Sequence, residues 1–230
     1  MTLLSYLFQN IGYLENIDDN DITKQVRLRA IKWACIIDDK FFKNTIDFKL
    51  NQHLVDELYR MSPEHNFMYC IDLMAANRTT WDKILELYQK TDPKEENFKT
   101  MLLKSLSCSE NSDIIINYLN ITTFNTLLFH EKERSFIIKS ILDKHLNNTL
   151  ILDYILNNFE TIKPKSLTTT EIIKLILGNV FYDKQIDKMK VFSDANFAHD
   201  PITRNAIKKL IQKRENFLKK SLESFKKYFF

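Results

Sequence analysis

Glycine and proline are scarce in this chain of 230 residues, which has two glycines and four prolines. Sheets, hairpins and phosphate-binding loops need glycine where the backbone turns with positive φ, and ordinary proteins contain about 7% glycine. The scarcity therefore favours helices joined by short polar turns. Apolar runs are also short, well below the roughly 20 residues that span a bilayer, so no transmembrane segment is expected.

An excess of one charge is absent as well, because 33 basic residues stand against 30 acidic ones. Nothing in this balance indicates a nucleic-acid partner. The basic pairs nearest the C-terminus fall on one predicted helix: Lys208-Lys209, Lys213-Arg214, Lys219-Lys220 and Lys226-Lys227. Its apolar residues are predicted to face inward, and they are Ile207, Leu210, Ile211, Phe217, Leu218 and Phe225. Since the basic side would then lack aromatic residues, we expect a solvated helix face rather than a nucleic-acid or acidic-membrane patch.

Apolar residues recur at helical spacing along nearly the whole chain. Helices are predicted to begin near Pro63, Thr79, Pro93, Ser112, His130, Asn148, Thr168, Asp183 and Pro201. Thr168 and Glu171 resemble a capping box, and Thr91-Asp92-Pro93 offers a cap followed by a first-turn proline. The pattern predicts an all-α fold of about ten to thirteen short helices with a long C-terminal helix, arranged as a bundle or a solenoid. No internal boundary is evident, so a single domain over 1–230 is expected.

Metal-dependent catalysis is not indicated. A zinc peptidase site needs two histidines one helical turn apart, a further carboxylate ligand and a glutamate base. The segment that begins at His130-Glu131 starts in this way, but Arg134 occupies the position of the second ligand, and a cation cannot bind zinc. No histidine has a second histidine four residues away. We therefore expect no catalytic residue, no metal site and no cofactor in this chain.

One block of the sequence resembles a known family. It contains, in order, Tyr69-Cys70, Trp81-Asp82, Tyr88 and Leu106-Ser107-Cys108. This order and spacing are similar to the helical C-terminal domain of zinc aminopeptidases of the aminopeptidase N and endoplasmic-reticulum aminopeptidase type. Further similar segments are the one ending in Trp33-Ala34-Cys35, the one ending in Asn158-Phe159, and Ala206 to Phe230. The resemblance thus extends over nearly all of the chain.

The resemblance implies a fold and two alternative functions. The fold is an irregular armadillo- or HEAT-like helical superhelix. The first function is that of a non-catalytic domain that covers the active-site chamber of a zinc aminopeptidase and helps admit peptides, with the zinc held in the family's catalytic domain. The alternative is a free-standing α-solenoid scaffold, derived from that domain, that binds a protein or peptide partner. The first would place the chain outside the cell, at its surface or in the secretory lumen, and the second in the cytoplasm.

The resemblance also implies that Cys70 and Cys108 form a structural disulfide, although two buried free thiols are the alternative. Cys35 matches a position that is paired in many relatives, but no second cysteine follows it here, so an unpaired thiol is expected. Three Asn-x-Ser/Thr sequons, at Asn77, Asn120 and Asn147, are candidates for glycosylation. A chain rich in asparagine and threonine also produces such sequons by chance.

The start of the chain lies close to the family-like block, whereas in the family further helices precede it. We therefore expect an N-terminally truncated relative without the catalytic domain. A solenoid that is cut within its array exposes an apolar helix face. The expected partner at this N-terminal end is an aminopeptidase catalytic domain or another protein, and a peptide partner is possible.

Overall fold

A computed structural model describes residues 3–12, 18–36 and 67–229. These residues form twelve helices and no strand, and the last helix is the longest. The all-α prediction, the predicted number of helices and the long C-terminal helix are thereby confirmed. None of the helices in this part of the chain is both long and apolar enough to cross a bilayer. Contacts divide the chain into two compact units, Met1–Glu110 and Asn111–Phe230, and the single domain over 1–230 stays a prediction.

The described part of the first unit has five helices. They are α1 (Leu3–Ile11), α2 (Asp21–Ile36), α3 (Phe67–Ala75), α4 (Arg78–Lys90) and α5 (Glu96–Leu106). Helix α1 packs against α2, and α5 packs against both α3 and α4. Gly12 ends α1 with a φ of 70°, a left-handed conformation that glycine adopts without steric cost.

A buried arginine fixes the end of α1 on α2. Arg27 is 3% exposed, and its Nη2 donates a hydrogen bond of 2.5 Å to the carbonyl of Ile11. Its Nη1 pairs with Asp19 Oδ2 at 2.5 Å. The last carbonyls of a helix lack partners within the helix, and a buried guanidinium needs an opposite charge. Arg27 meets both needs at once.

The second unit has seven helices in its described part. They are α6 (Ser112–Phe124), α7 (Glu131–His145), α8 (Thr149–Asn157), α9 (Phe159–Ile162), α10 (Thr169–Gly178), α11 (Asp183–Asn196) and α12 (Pro201–Phe229). Helix α6 packs against α7, α8 and α9, while α10 packs against α7. The long helix α12 packs against both α10 and α11.

Local capping signals explain most of the helix starts. Asn148 caps α8, and the predicted capping box at α10 is confirmed, since Thr168 N donates to Glu171 at 2.7 Å and Glu171 N to Thr168 Oγ1 at 3.2 Å. The start predicted at Pro93 is wrong. Asp92 Oδ1 accepts a hydrogen bond of 2.8 Å from Lys94 N, which holds this segment as a turn, and α5 begins at Glu96. The start predicted at Pro63 lies outside the described residues.

A buried glutamine links two separate turns of the second unit. Gln185 is 4% exposed, and its Nε2 donates to the carbonyl of Leu146 at 2.6 Å. Its Oε1 accepts hydrogen bonds from the backbone N–H groups of Phe181 and Tyr182, at 2.9 and 3.2 Å. The turn after α7 and the start of α11 are therefore held by one buried amide whose nitrogen and oxygen both have backbone partners, as buried polar groups require.

Candidate functional site

The aromatic residues of the family-like block lie in the core of the first unit. Tyr69, Trp81 and Tyr88 are each no more than 2% exposed. Trp81 Nε1 donates a hydrogen bond of 2.9 Å to the carbonyl of Leu106, the last residue of α5. Because that carbonyl has no partner within its own helix, the indole N–H satisfies it across the α4–α5 contact. Tyr69 meets the edge of Phe98, with ring centroids 6.3 Å apart.

The two cysteines of the block are joined. The sulfur atoms of Cys70 and Cys108 are 2.07 Å apart and their Cα atoms 5.2 Å apart, so a disulfide connects α3 with the turn after α5. A hydrogen bond of 3.1 Å from Glu110 N to the carbonyl of Met74 lies on the same side of α3. Cys35 belongs to α2, but its side chain lies outside the described part. The block thus ties three helices together, and both of its thiols are joined in the disulfide.

The segment that begins like a zinc-binding motif is instead a helix start. Glu133 accepts a hydrogen bond of 2.9 Å from the backbone N–H of His130, which caps α7. Glu131 accepts one of 2.9 Å from Ser166 N and lies 3.6 Å from Arg134. Both carboxylates are therefore engaged in local structure. Across the described ranges, no group of three His, Cys, Asp or Glu side chains is arranged to hold a metal ion.

The comparison with family models identifies the chain. Residues 1–216 match the model described as the ERAP1-like C-terminal domain. The chain belongs to this family. A search of curated proteins found no match. The ERAP1-like C-terminal domain is the non-catalytic part of aminopeptidases, in agreement with the resemblance found in the sequence.

The ERAP1-like domain exposes large apolar residues near its N-terminal end, as expected. On α2, Ile22 is 76% exposed, Val26 38% and Trp33 59%. Their spacing of four and seven residues places them on one side of the helix. Tyr6 of α1 is also exposed, at 61%. Ala30 of the same helix is buried, at 4% exposed.

The three sequons differ in their structural setting. Asn77 is exposed and caps α4, accepting a hydrogen bond of 3.0 Å from Thr80 N. Asn147 is exposed in the turn between α7 and α8. Asn120 is half-buried within α6 and accepts a hydrogen bond from the Tyr154 hydroxyl. Glycosylation at the three sites stays a prediction, and the geometry favours Asn77 and Asn147.

Ion pairs line the groove between α11 and α12, which has a volume of about 320 Å³. Asp194 pairs with Arg204 at 2.6 Å and with Lys208 at 3.5 Å. The hydrogen bond from Arg204 lowers the pKa of Asp194 below its ordinary value. On the other side, Lys190 lies 2.8 Å from Glu215, whose hydrogen bond raises the pKa of Lys190.

The lowered pKa of Asp194 predicts that pairing of α11 with α12 weakens in acid. Because the folded-state pKa of Asp194 is lowered, its contribution is complete above the unfolded value of about 3.9 and is lost as pH falls through the folded value. The unfolding midpoint, measured by circular dichroism, should therefore fall less between about pH 6 and about pH 3 in Asp194→Asn than in the parent. Glu223→Gln, which removes an exposed carboxylate of α12 that forms none of these ion pairs, is the control. An equal drop in Asp194→Asn and the parent would contradict this assignment.

The sequence analysis missed an aromatic stack around Arg214. The guanidinium carbon lies 4.9 Å from the ring centroid of Phe181 and 5.1 Å from that of Phe217, and Nε donates to the carbonyl of Val180 at 3.0 Å. Burial lowers the pKa of Arg214. Phe217 was predicted to face inward, which is wrong, because it is 56% exposed. The Arg–x–x–Phe spacing on one helix was the available signal, since residues three apart are neighbours.

Proposed function

We propose that this chain serves as the non-catalytic domain of an aminopeptidase N-like zinc peptidase, where it covers the active-site chamber and helps admit peptides. The family match over residues 1–216 carries the proposal. The residues that resemble the family form a buried core around the Cys70–Cys108 disulfide, and a cross-linked core suits a domain that forms one wall of a chamber. The zinc and the reacting groups would belong to the catalytic domain.

A kinetic experiment tests this role. The chain alone, incubated with zinc and aminoacyl substrates, should give no turnover. Added to the separately produced catalytic domain of an aminopeptidase from the same source, it should change KM for peptides by at least about fivefold and leave single aminoacyl amides less affected. Such a split is expected because a chamber wall contacts the part of a peptide that lies beyond the reacting bond.

Two results would contradict the proposal. One is zinc-dependent turnover by the chain alone. The other is an equal effect on peptides and on aminoacyl amides, which would indicate stabilisation of the catalytic domain rather than admission of peptides.

The exposed stripe on α2 favours a second candidate, a scaffold that binds another protein through Ile22, Val26 and Trp33. Exposed apolar faces of this kind mark interaction sites. Two results together would support this candidate. The chain would leave the kinetics of the catalytic domain unchanged, and its Trp33 emission would shift to shorter wavelength when a different purified partner is added. Trp33→Ser should abolish that binding, whereas Leu127→Ser, which alters a side chain that is 95% exposed in the other unit, should not.

A further inference from the structure

The excess positive charge of the chain is concentrated on its last helix. Helix α12 has nine basic and two acidic residues, whereas the whole chain has 33 basic and 30 acidic. The remaining residues therefore comprise 24 basic and 28 acidic ones, an excess of negative charge. A helix with the opposite sign to the rest of its chain indicates attraction to an anionic surface.

Part of this charge lies along one flank of α12. Lys209, Lys213, Phe217 and Lys220 are all exposed and line one shallow depression of about 440 Å³, together with Gln212 and Asn216. No acidic residue lines it. None of the three lysines forms an ion pair with any part of the chain that the structure describes. Lys220 follows Lys209 by eleven positions, which is roughly 16 Å along the helix axis.

Exposed aromatic side chains border this flank. Phe181 is 52% exposed and Tyr182 62% exposed, in the turn before α11. The Arg214 guanidinium lies against both Phe181 and Phe217, and so holds the two rings beside the lysines. Lys209, Lys213, Phe217, Lys220 and Phe181 are hereafter the basic–aromatic face. The expectation of a solvated helix face depended on the lack of aromatics there, and exposed Phe217 removes that reason.

We propose that the basic–aromatic face binds the surface of an anionic lipid bilayer. Lysines attract anionic headgroups, while exposed phenylalanine side chains enter the boundary between headgroups and acyl chains. The face is shallow and built mainly on a single exposed helix, which suits a lipid surface. A protein partner is less favoured, because lysine is depleted at protein interfaces and the shallow depression offers no pocket for an anchoring side chain.

Sedimentation with lipid vesicles tests the proposal on the full 230-residue chain. Binding is expected to phosphatidylcholine vesicles that contain phosphatidylserine and not to pure phosphatidylcholine, and it should be lost near 1 M salt, where the Debye length is about 3 Å. Each lysine should contribute about fivefold, so the triple change Lys209→Gln, Lys213→Gln and Lys220→Gln should weaken binding on the order of 100-fold. Phe217→Ala should weaken it about tenfold without altering net charge.

A matched variant separates the face from overall charge. Lys83→Gln, Lys94→Gln and Lys165→Gln also remove three exposed lysines, and this variant should bind as the parent does. Circular dichroism of every variant checks that it is folded. Equal weakening in the two triple variants, or no binding to phosphatidylserine vesicles at low salt, would overturn the proposal. Binding of polyglutamate or an oligonucleotide through the same lysines, without binding of vesicles, would also overturn it.

Discussion

Removing the Cys70–Cys108 disulfide is expected to lower the free energy of unfolding of the unit Met1–Glu110 by about 4 kcal/mol. The two cysteines are 38 positions apart, and a cross-link of that span restricts the unfolded chain strongly in the chain-entropy model. The change to make is Cys70→Ala with Cys108→Ala, because alanine leaves no polar group at Cys108, which is 4% exposed. A loss of this size is a large fraction of the stability of an ordinary domain.

Tryptophan fluorescence measures this loss in the correct unit. The only two tryptophans of the chain, Trp33 and Trp81, both belong to Met1–Glu110. Urea unfolding followed by their emission should show a lower midpoint for the double variant and for the parent in dithiothreitol. Cys35→Ala should keep the parent midpoint and the parent's sensitivity to dithiothreitol. The same midpoint in the double variant and the parent would show that the cross-link does not stabilise this unit.

Sequence patterns predicted the structure best where a few neighbouring residues decide it. The capping box of Thr168 and Glu171 depends on atoms three residues apart, so the sequence contains the whole interaction. At Pro93 two local signals compete, a first-turn proline and an aspartate that can bond the backbone two residues later. The aspartate prevails through its bond to Lys94 N, and the helix starts three residues after the predicted position.

The inward prediction for Phe217 failed for one local reason and one distant reason. Both Phe217 and Leu218 were predicted to continue the inward row of Ile207 and Ile211. At 100° per residue, Phe217 lies roughly 80° from Ile207 and Leu218 only about 20° from it. Phe217 also has Arg214 as a neighbour, and the contact of Arg214 with Phe181, from another element, cannot be read from the pattern of α12 alone.

The same limit applies to the candidate sites. Similarity to the family identified Cys70 and Cys108 as a pair, which no periodicity could have done. By contrast, Ile22 and Trp33 of α2 have the spacing of a buried helix side, and yet both are exposed. Spacing shows that residues share a side of a helix, but it does not show whether another element covers that side.

Replacing Trp81 is the second change with a large expected effect. Trp81→Ala should cost about 3–5 kcal/mol in the free energy of unfolding, since a completely buried tryptophan would leave a cavity between α4 and α5. Trp81→Phe keeps most of the apolar packing but leaves the Leu106 carbonyl without the indole N–H, and that loss alone should cost about 1–3 kcal/mol. Trp33→Phe, at an exposed position, should change stability by less than about 0.5 kcal/mol.

The comparison of these variants decides what the family-like tryptophan does. Calorimetry is the suitable measurement, because the substitutions remove the fluorescent groups. If packing alone accounted for Trp81, the phenylalanine variant would lose only about 1 kcal/mol, because the smaller ring leaves a small void. A clearly larger loss in Trp81→Phe means instead that the bond to Leu106 is required, because the end of α5 is buried against α4 and water cannot replace the indole there. The Ser107-Cys108 turn follows directly from that helix end, so the indole would then also position Cys108 for its disulfide with Cys70.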